Sequence, residues 1–171
     1  PNADPFAAAP VSENEVPSKF GASDVQDLNW VQLLNAYTCT ECGRCTSSCP
    51  ANQTGKKLSP RKIMMDTRDR LEEVGKNIDA NKGVFVPDNK SLLNDYITPE
   101  ELWACTSCNA CVEECPVNIS PLSIIMDMRR YLVMEQSAAP MPINAMMTNI
   151  ENNGAPWQYS QQDRLNWKNE N

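Results

Sequence analysis

Apolar side chains recur at helical spacing in two separated stretches of the chain. In LSPRKIMMDTRDRL (58–71), Ile63, Met64, Thr67 and Leu71 share one face; in ISPLSIIMDMRRYL (119–132), Ile124, Ile125, Met128 and Leu132 do the same. The two stretches match each other. Each opens with a serine suited to cap a helix (Ser59, Ser120) and a proline suited to the first helical position (Pro60, Pro121). A methionine-rich stripe at this spacing reads as core packing rather than as ligands. Shorter helices are expected upstream of each. Ser23-x-x-Gln26 resembles a capping box, after which Trp30, Leu33, Leu34 and Tyr37 share a face; Thr98-Pro99-Glu100-Glu101 opens the second with the same chemistry. Only Val84–Val86 has strand character, and Pro87 ends it. PINAMMTNIENN reads as a further helix stopped by Gly154. The pattern predicts an all-α fold.

The flanks lack this periodicity. Residues 1–22 hold four prolines and read as an extended linker, residues 23–137 as the folded domain, and residues 138–171 as a C-terminal tail. That tail carries Trp157 and Trp167, amphipathic side chains suited to docking a partner. The first residue is Pro rather than Met, so the expected chain is processed or cut from something longer. No apolar run reaches transmembrane length, and no secretory core segment is present. A net charge of −7 argues against nucleic acid as a partner. Histidine is absent, which excludes imidazole catalysis and His-ligated haem, zinc or Rieske centres.

All eight cysteines fall in two runs, CTECGRCTSSCPAN (39–52) and CTSCNACVEECPVN (105–118), both spaced C-x2-C-x2-C-x3-C-P. Disulfides would suit a secreted protein, which nothing here suggests. Two zinc sites would use all eight thiols but give no reason for a third Cys at x2 and a fourth at x3 before Pro. The spacing is that of bacterial two-cluster ferredoxins, in which the fourth cysteine of each run ligates the other cluster. A loop with thiols at i, i+3 and i+6 can wrap three corners of a [4Fe–4S] cube, and the fourth thiol points away. This assigns Cys39, Cys42, Cys45 and Cys115 to cluster I, and Cys49, Cys105, Cys108 and Cys111 to cluster II. Tyr37 and Trp103, each two residues before a run, are candidates for core packing or for apolar lids over the cubes. The cysteine runs are offset by 66 residues and the helices after them by 61, so the first copy carries five extra residues near Gln53–Lys57. The whole reads as a helical two-cluster ferredoxin with a pseudo-twofold repeat.

From about Trp30 to Trp167 the chain resembles the helical ferredoxin segment of the iron–sulfur oxidoreductases related to heterodisulfide reductase. That group includes the iron–sulfur subunits of glycolate oxidase and anaerobic glycerol-3-phosphate dehydrogenase, and oxidoreductases between electron-transfer flavoprotein and menaquinone. The likeness rests on the two cysteine runs, on ITPEELWACTSCNACVEECPVNISP and on NNGAPW…RLNW. It implies an electron-transfer component without a substrate site or catalytic residue of its own. The implied donor is a flavoprotein or dehydrogenase. The implied acceptor is a cysteine-rich CCG-type or membrane quinone-reducing partner. The CCG motif of many relatives is missing, so the alternative is a subunit that completes a heterodisulfide reductase-like site on a neighbouring chain. Thiolate clusters are kept in reducing compartments, so the expected location is cytoplasmic, peripheral on the cytoplasmic face of a membrane.

Charge separates the two copies. Residues 39–62 carry Arg44, Lys56, Lys57, Arg61 and Lys62 against Glu41; residues 99–122 carry Glu100, Glu101, Glu113 and Glu114 and no base. Cations favour the more negative, reduced state of a thiolate-ligated cube, so the sequence predicts the higher potential at cluster I and ends of opposite sign.

Overall fold

In the computed structural model, residues 19–169 are described; the first eighteen residues of the proline-rich segment lie outside them. The chain divides into two compact units, one ending at Tyr131 and the other spanning Leu132–Asn171. Among the described residues there is no strand. The α-helices are α1 (Trp30–Thr38), α2 (Arg44–Ser47), α3 (Pro50–Gln53), α4 (Pro60–Ala80), α5 (Pro99–Ala104), α6 (Ala110–Glu113), α7 (Pro121–Met134) and α8 (Met141–Asn153).

The long helices start where their capping residues dictate. Ser59 Oγ accepts from the Lys62 N–H at 3.4 Å to open α4, and Ser120 Oγ accepts from the Ser123 N–H at 3.3 Å to open α7. Thr98 and Glu101 cap α5 reciprocally. Gly154 ends α8 in a left-handed conformation with its N–H on the Ile150 carbonyl, as its sequence position requires. Ile63, Met64, Thr67, Ile124, Ile125, Met128 and Leu132 are all buried, which makes the two matching stripes the core of the repeat.

Three expectations change. The capping box at Ser23 and Gln26 is replaced by two boxes, Asp24 with Asp27 and Asn29 with Gln32, because Leu28 is extended and splits the segment in two. The stripe on α1 is not core. Trp30 is 74% exposed, and Leu34 and Tyr37 are each more than half exposed. The buried side chains of α1 are Gln32 and Ala36, and Gln32 donates to Asp127 at 2.6 Å. Val84–Val86 forms no strand, because the Asn77 amide on α4 holds both the N–H and the carbonyl of Val86 at 2.9 Å, filling the role of a pairing strand.

On α4 the fully buried position is Arg70 rather than Leu71, which is half-buried. The Arg70 guanidinium reaches Asp24 at 2.8 Å, Asp88 at 2.5 Å and the Lys90 carbonyl at 2.8 Å. It thereby ties α4 to the chain before α1 and to the connection before α5. Residues 19–22, the end of the expected linker, pack on α7: the Ala22 N–H donates to the Asp127 carbonyl at 3.0 Å. Gly21 stands beside it at φ 77°, where an added Cβ would lie 2.2 Å from that same oxygen.

Candidate metal centre

The two cysteine runs fold alike. α1 ends at Thr38, and the chain then turns through Glu41 at φ 56° and Gly43 at φ 81° before α2 begins. In the second run α5 ends at Ala104, Ser107 has φ 56° and Asn109 φ 61°, and α6 follows. Left-handed backbone costs about 1–2 kcal/mol for residues with a Cβ. Its recurrence at matched positions has a local cause, since it turns N–H groups inward toward sulfur. The Ser107 N–H donates to Cys105 Sγ at 3.4 Å and the Ile119 N–H to Cys115 Sγ at 3.3 Å.

Two hollows lie against these loops. Cys39, Cys42, Cys45, Cys111 and Cys115 line the first. Cys49, Cys105, Cys108 and Cys111 line the second. Both hollows thus draw on both runs: each holds the first three thiols of one run and the last thiol of the other, and Cys111 lines both. Cys42 and Cys108, at matched positions, are the exposed rims, and Cys49 is buried. Neither Tyr37 nor Trp103 lines a hollow, so neither is a lid; Trp103 lies 5.0 Å beneath the Arg129 guanidinium instead.

The donor set fits a sulfur-ligated cluster. All eight cysteines are free thiols, which removes the disulfide reading. Among the described residues no three Cys, Asp or Glu side chains converge on a single-ion site; the thiols ring spaces instead. The Arg44 N–H, the Thr40 hydroxyl and the Arg44 charge draw the Cys42 thiol below its ordinary range, and the Ala110 N–H and Thr106 hydroxyl do the same at Cys108. Burial pushes Cys45 up. It pushes Cys111 up to about 11, with help from the charges of Cys105, Cys45 and Cys49. Thiols so placed become thiolates when a cation replaces their protons, so iron binding here releases protons.

Long-range ion pairs reduce the expected separation of charge. Lys57 pairs with Glu100 at 2.5 Å, and Lys62 with Glu101 at 3.0 Å and Asp66 at 2.7 Å. The basic run of the first copy thus neutralises half of the acidic run of the second. Glu41, on the first hollow, is held by Arg68 at 2.7 Å.

Comparison with known proteins agrees with this geometry. The 4Fe-4S dicluster domain family matches residues 38–119. The chain is 36% identical over 186 residues to a probable iron-sulfur-binding oxidoreductase FadF of Bacillus subtilis, covering 92% of this chain and 26% of that protein. It is 34% identical to an EtfAB:quinone oxidoreductase of Syntrophomonas wolfei, covering 98% of this chain and 26% of the relative. It is also 34% identical over 108 residues to one subunit of a ferredoxin/F(420)H(2)-dependent CoB-CoM heterodisulfide reductase of Methanosarcina acetivorans, covering 63% of this chain and 52% of that subunit. The chain spans about a quarter of the length of the first two relatives and about half of the third.

Proposed function

Residues 38–119 of this chain belong to the 4Fe-4S dicluster domain family, and from that premise we propose that the chain is an electron relay within a larger oxidoreductase. Each [4Fe–4S] cluster supplies a one-electron couple when bound. Cys39, Cys42, Cys45 and Cys115 hold cluster I, and Cys49, Cys105, Cys108 and Cys111 hold cluster II. The observation that carries this reading is the composition of the hollows, each holding the first three thiols of one run and the last thiol of the other, with Cys111 common to both. Leu58, Pro60, Leu122 and Ile125 line the second hollow, and Met64, Ile119 and Pro121 line part of the first, so the inner walls of both sites are apolar. Exposed Cys42 and Cys108 give each site an outer rim for exchange with a partner, and Cys45 and Cys111 lie toward the dividing wall.

The partners follow from the chemistry and from the relatives' names: an electron-transferring flavoprotein or dehydrogenase as donor, and a quinone-reducing or cysteine-rich partner as acceptor. Among the described residues no helix is long and apolar enough to cross a membrane. The proposed place is peripheral, on the cytoplasmic face, with the C-terminal unit and its exposed Trp157 and Trp167 available for docking. Protein prepared without oxygen is expected to hold about eight iron and eight acid-labile sulfide per chain and to accept about two electrons in titration with a low-potential reductant. Zinc without sulfide, or iron without reducibility, sinks the reading.

A further inference from the structure

The two hollows correspond position by position. The offset of 66 residues maps Thr40, Gly43 and Cys45 of the first onto Thr106, Asn109 and Cys111 of the second, and the offset of 61 maps Pro60 onto Pro121 and Met64 onto Ile125. Two positions break the equivalence in charge: Arg61 lines the first hollow where its counterpart Leu122 lines the second, and Glu41, held by Arg68, lines the first where its counterpart is Ser107. We propose that the Arg61/Leu122 difference sets the order of the two potentials, making cluster I the site where electrons come to rest. The inference rests on the two-cluster reading given above.

Several observations single out Arg61 from the rest of its basic run. Lys57 and Lys62 are spent on Glu100 and Glu101; Arg44, Lys56 and Arg61 make no ion pair among the described residues, and of these three Arg61 alone lines the first hollow. Its backbone is tied to the first cysteine run, because the Arg61 N–H donates to Thr46 Oγ1 at 3.2 Å and that hydroxyl also bonds Ser59 Oγ at 3.0 Å. The counterpart of Thr46 is Val112, which has no hydroxyl to make such a tie. The anion on the first hollow, Glu41, is offset by Arg68. Arg44, whose charge reaches Cys42, acts in the same direction as Arg61, and its counterpart is Ala110. Glu113 and Glu114 oppose them beside Cys115, but both are exposed and line neither hollow. Among the described residues no charged side chain lines the second hollow. Reduction adds one negative charge to a cube that already carries about −2, so a cation at the wall stabilises the reduced state and a leucine does not. Arg61 is itself exposed, so its influence falls as salt screens it.

The test is redox titration followed by EPR on the holoprotein, with iron and sulfide counted in every sample. Arg61→Leu should lower the higher midpoint and leave the other in place, Arg61→Lys should restore most of it, and the wild-type gap should narrow as salt is raised. Leu122→Arg should raise the lower midpoint, and the exchange of both residues should shrink or invert the gap. Two intact signals with neither midpoint moved by Arg61→Leu overturn the inference alone. A wild type with a single cluster overturns the reading beneath it as well.

Discussion

Arg70 carries no apolar signal, yet it is the largest side chain wholly removed from solvent, with two carboxylates closed around it. Removing one member of such a group strands the others, which costs about 3–5 kcal/mol. Arg70→Met is therefore expected to lower the unfolding free energy of the holoprotein by that order, read as a lower urea midpoint, while Leu71→Ala, on the half-buried neighbour, costs less. The Arg70 guanidinium also holds the Asp88 carboxyl at about 2, below its ordinary 3.8. The folded value is the depressed one, so the stabilisation is complete above about pH 4 and is lost as the pH falls toward 2. The stability difference between wild type and Asp88→Asn should shrink across that window, and a difference constant with pH would refute the pairing. The sequence shows an arginine one position from the expected Leu71, but Asp24 and Asp88 lie 46 and 18 residues away, and no local pattern joins them.

At the level of elements, the helices whose apolar face and caps agree, α4 and α7, were legible from sequence, because local and tertiary demands coincide there. α1 was not. Its aromatic stripe has helical spacing, but Gln32 satisfies Asp127 and Ala36 allows close packing, so the stripe faces outward. The opposed charges of the two copies were legible as composition but not as pairs, since Lys57 and Glu100 are 43 residues apart. The cysteine loops were the most legible feature, because their spacing is set by the cube. The proposed exchange of a fourth thiol between them yields a sharp expectation. Cys49→Ser should alter the EPR signal of the cluster held by Cys105, Cys108 and Cys111, and Cys115→Ser the signal of the other. A Cys49→Ser change confined to the cluster of its sequence neighbours would exclude the exchange.

For the molecule as a whole, the thiols around the two hollows come from both repeats. Metal binding is thus coupled to folding. An iron chelator under reducing conditions should lower the helical far-UV signal and expose the chain to protease, and retention of full helicity and resistance would contradict that coupling. Each hollow takes its closing thiol from the opposite half, and this bears on ancestry. A forebear with one run and one long helix would own three thiols of a ring and a fourth facing elsewhere. It could fill its rings only by pairing with an identical twin. A chain with both runs is what the fusion of such a pair by gene doubling would leave. Twins from one gene must change together, whereas fused halves can drift apart, as the five residues inserted near Gln53–Lys57 and the divergence of position 61 from 122 show.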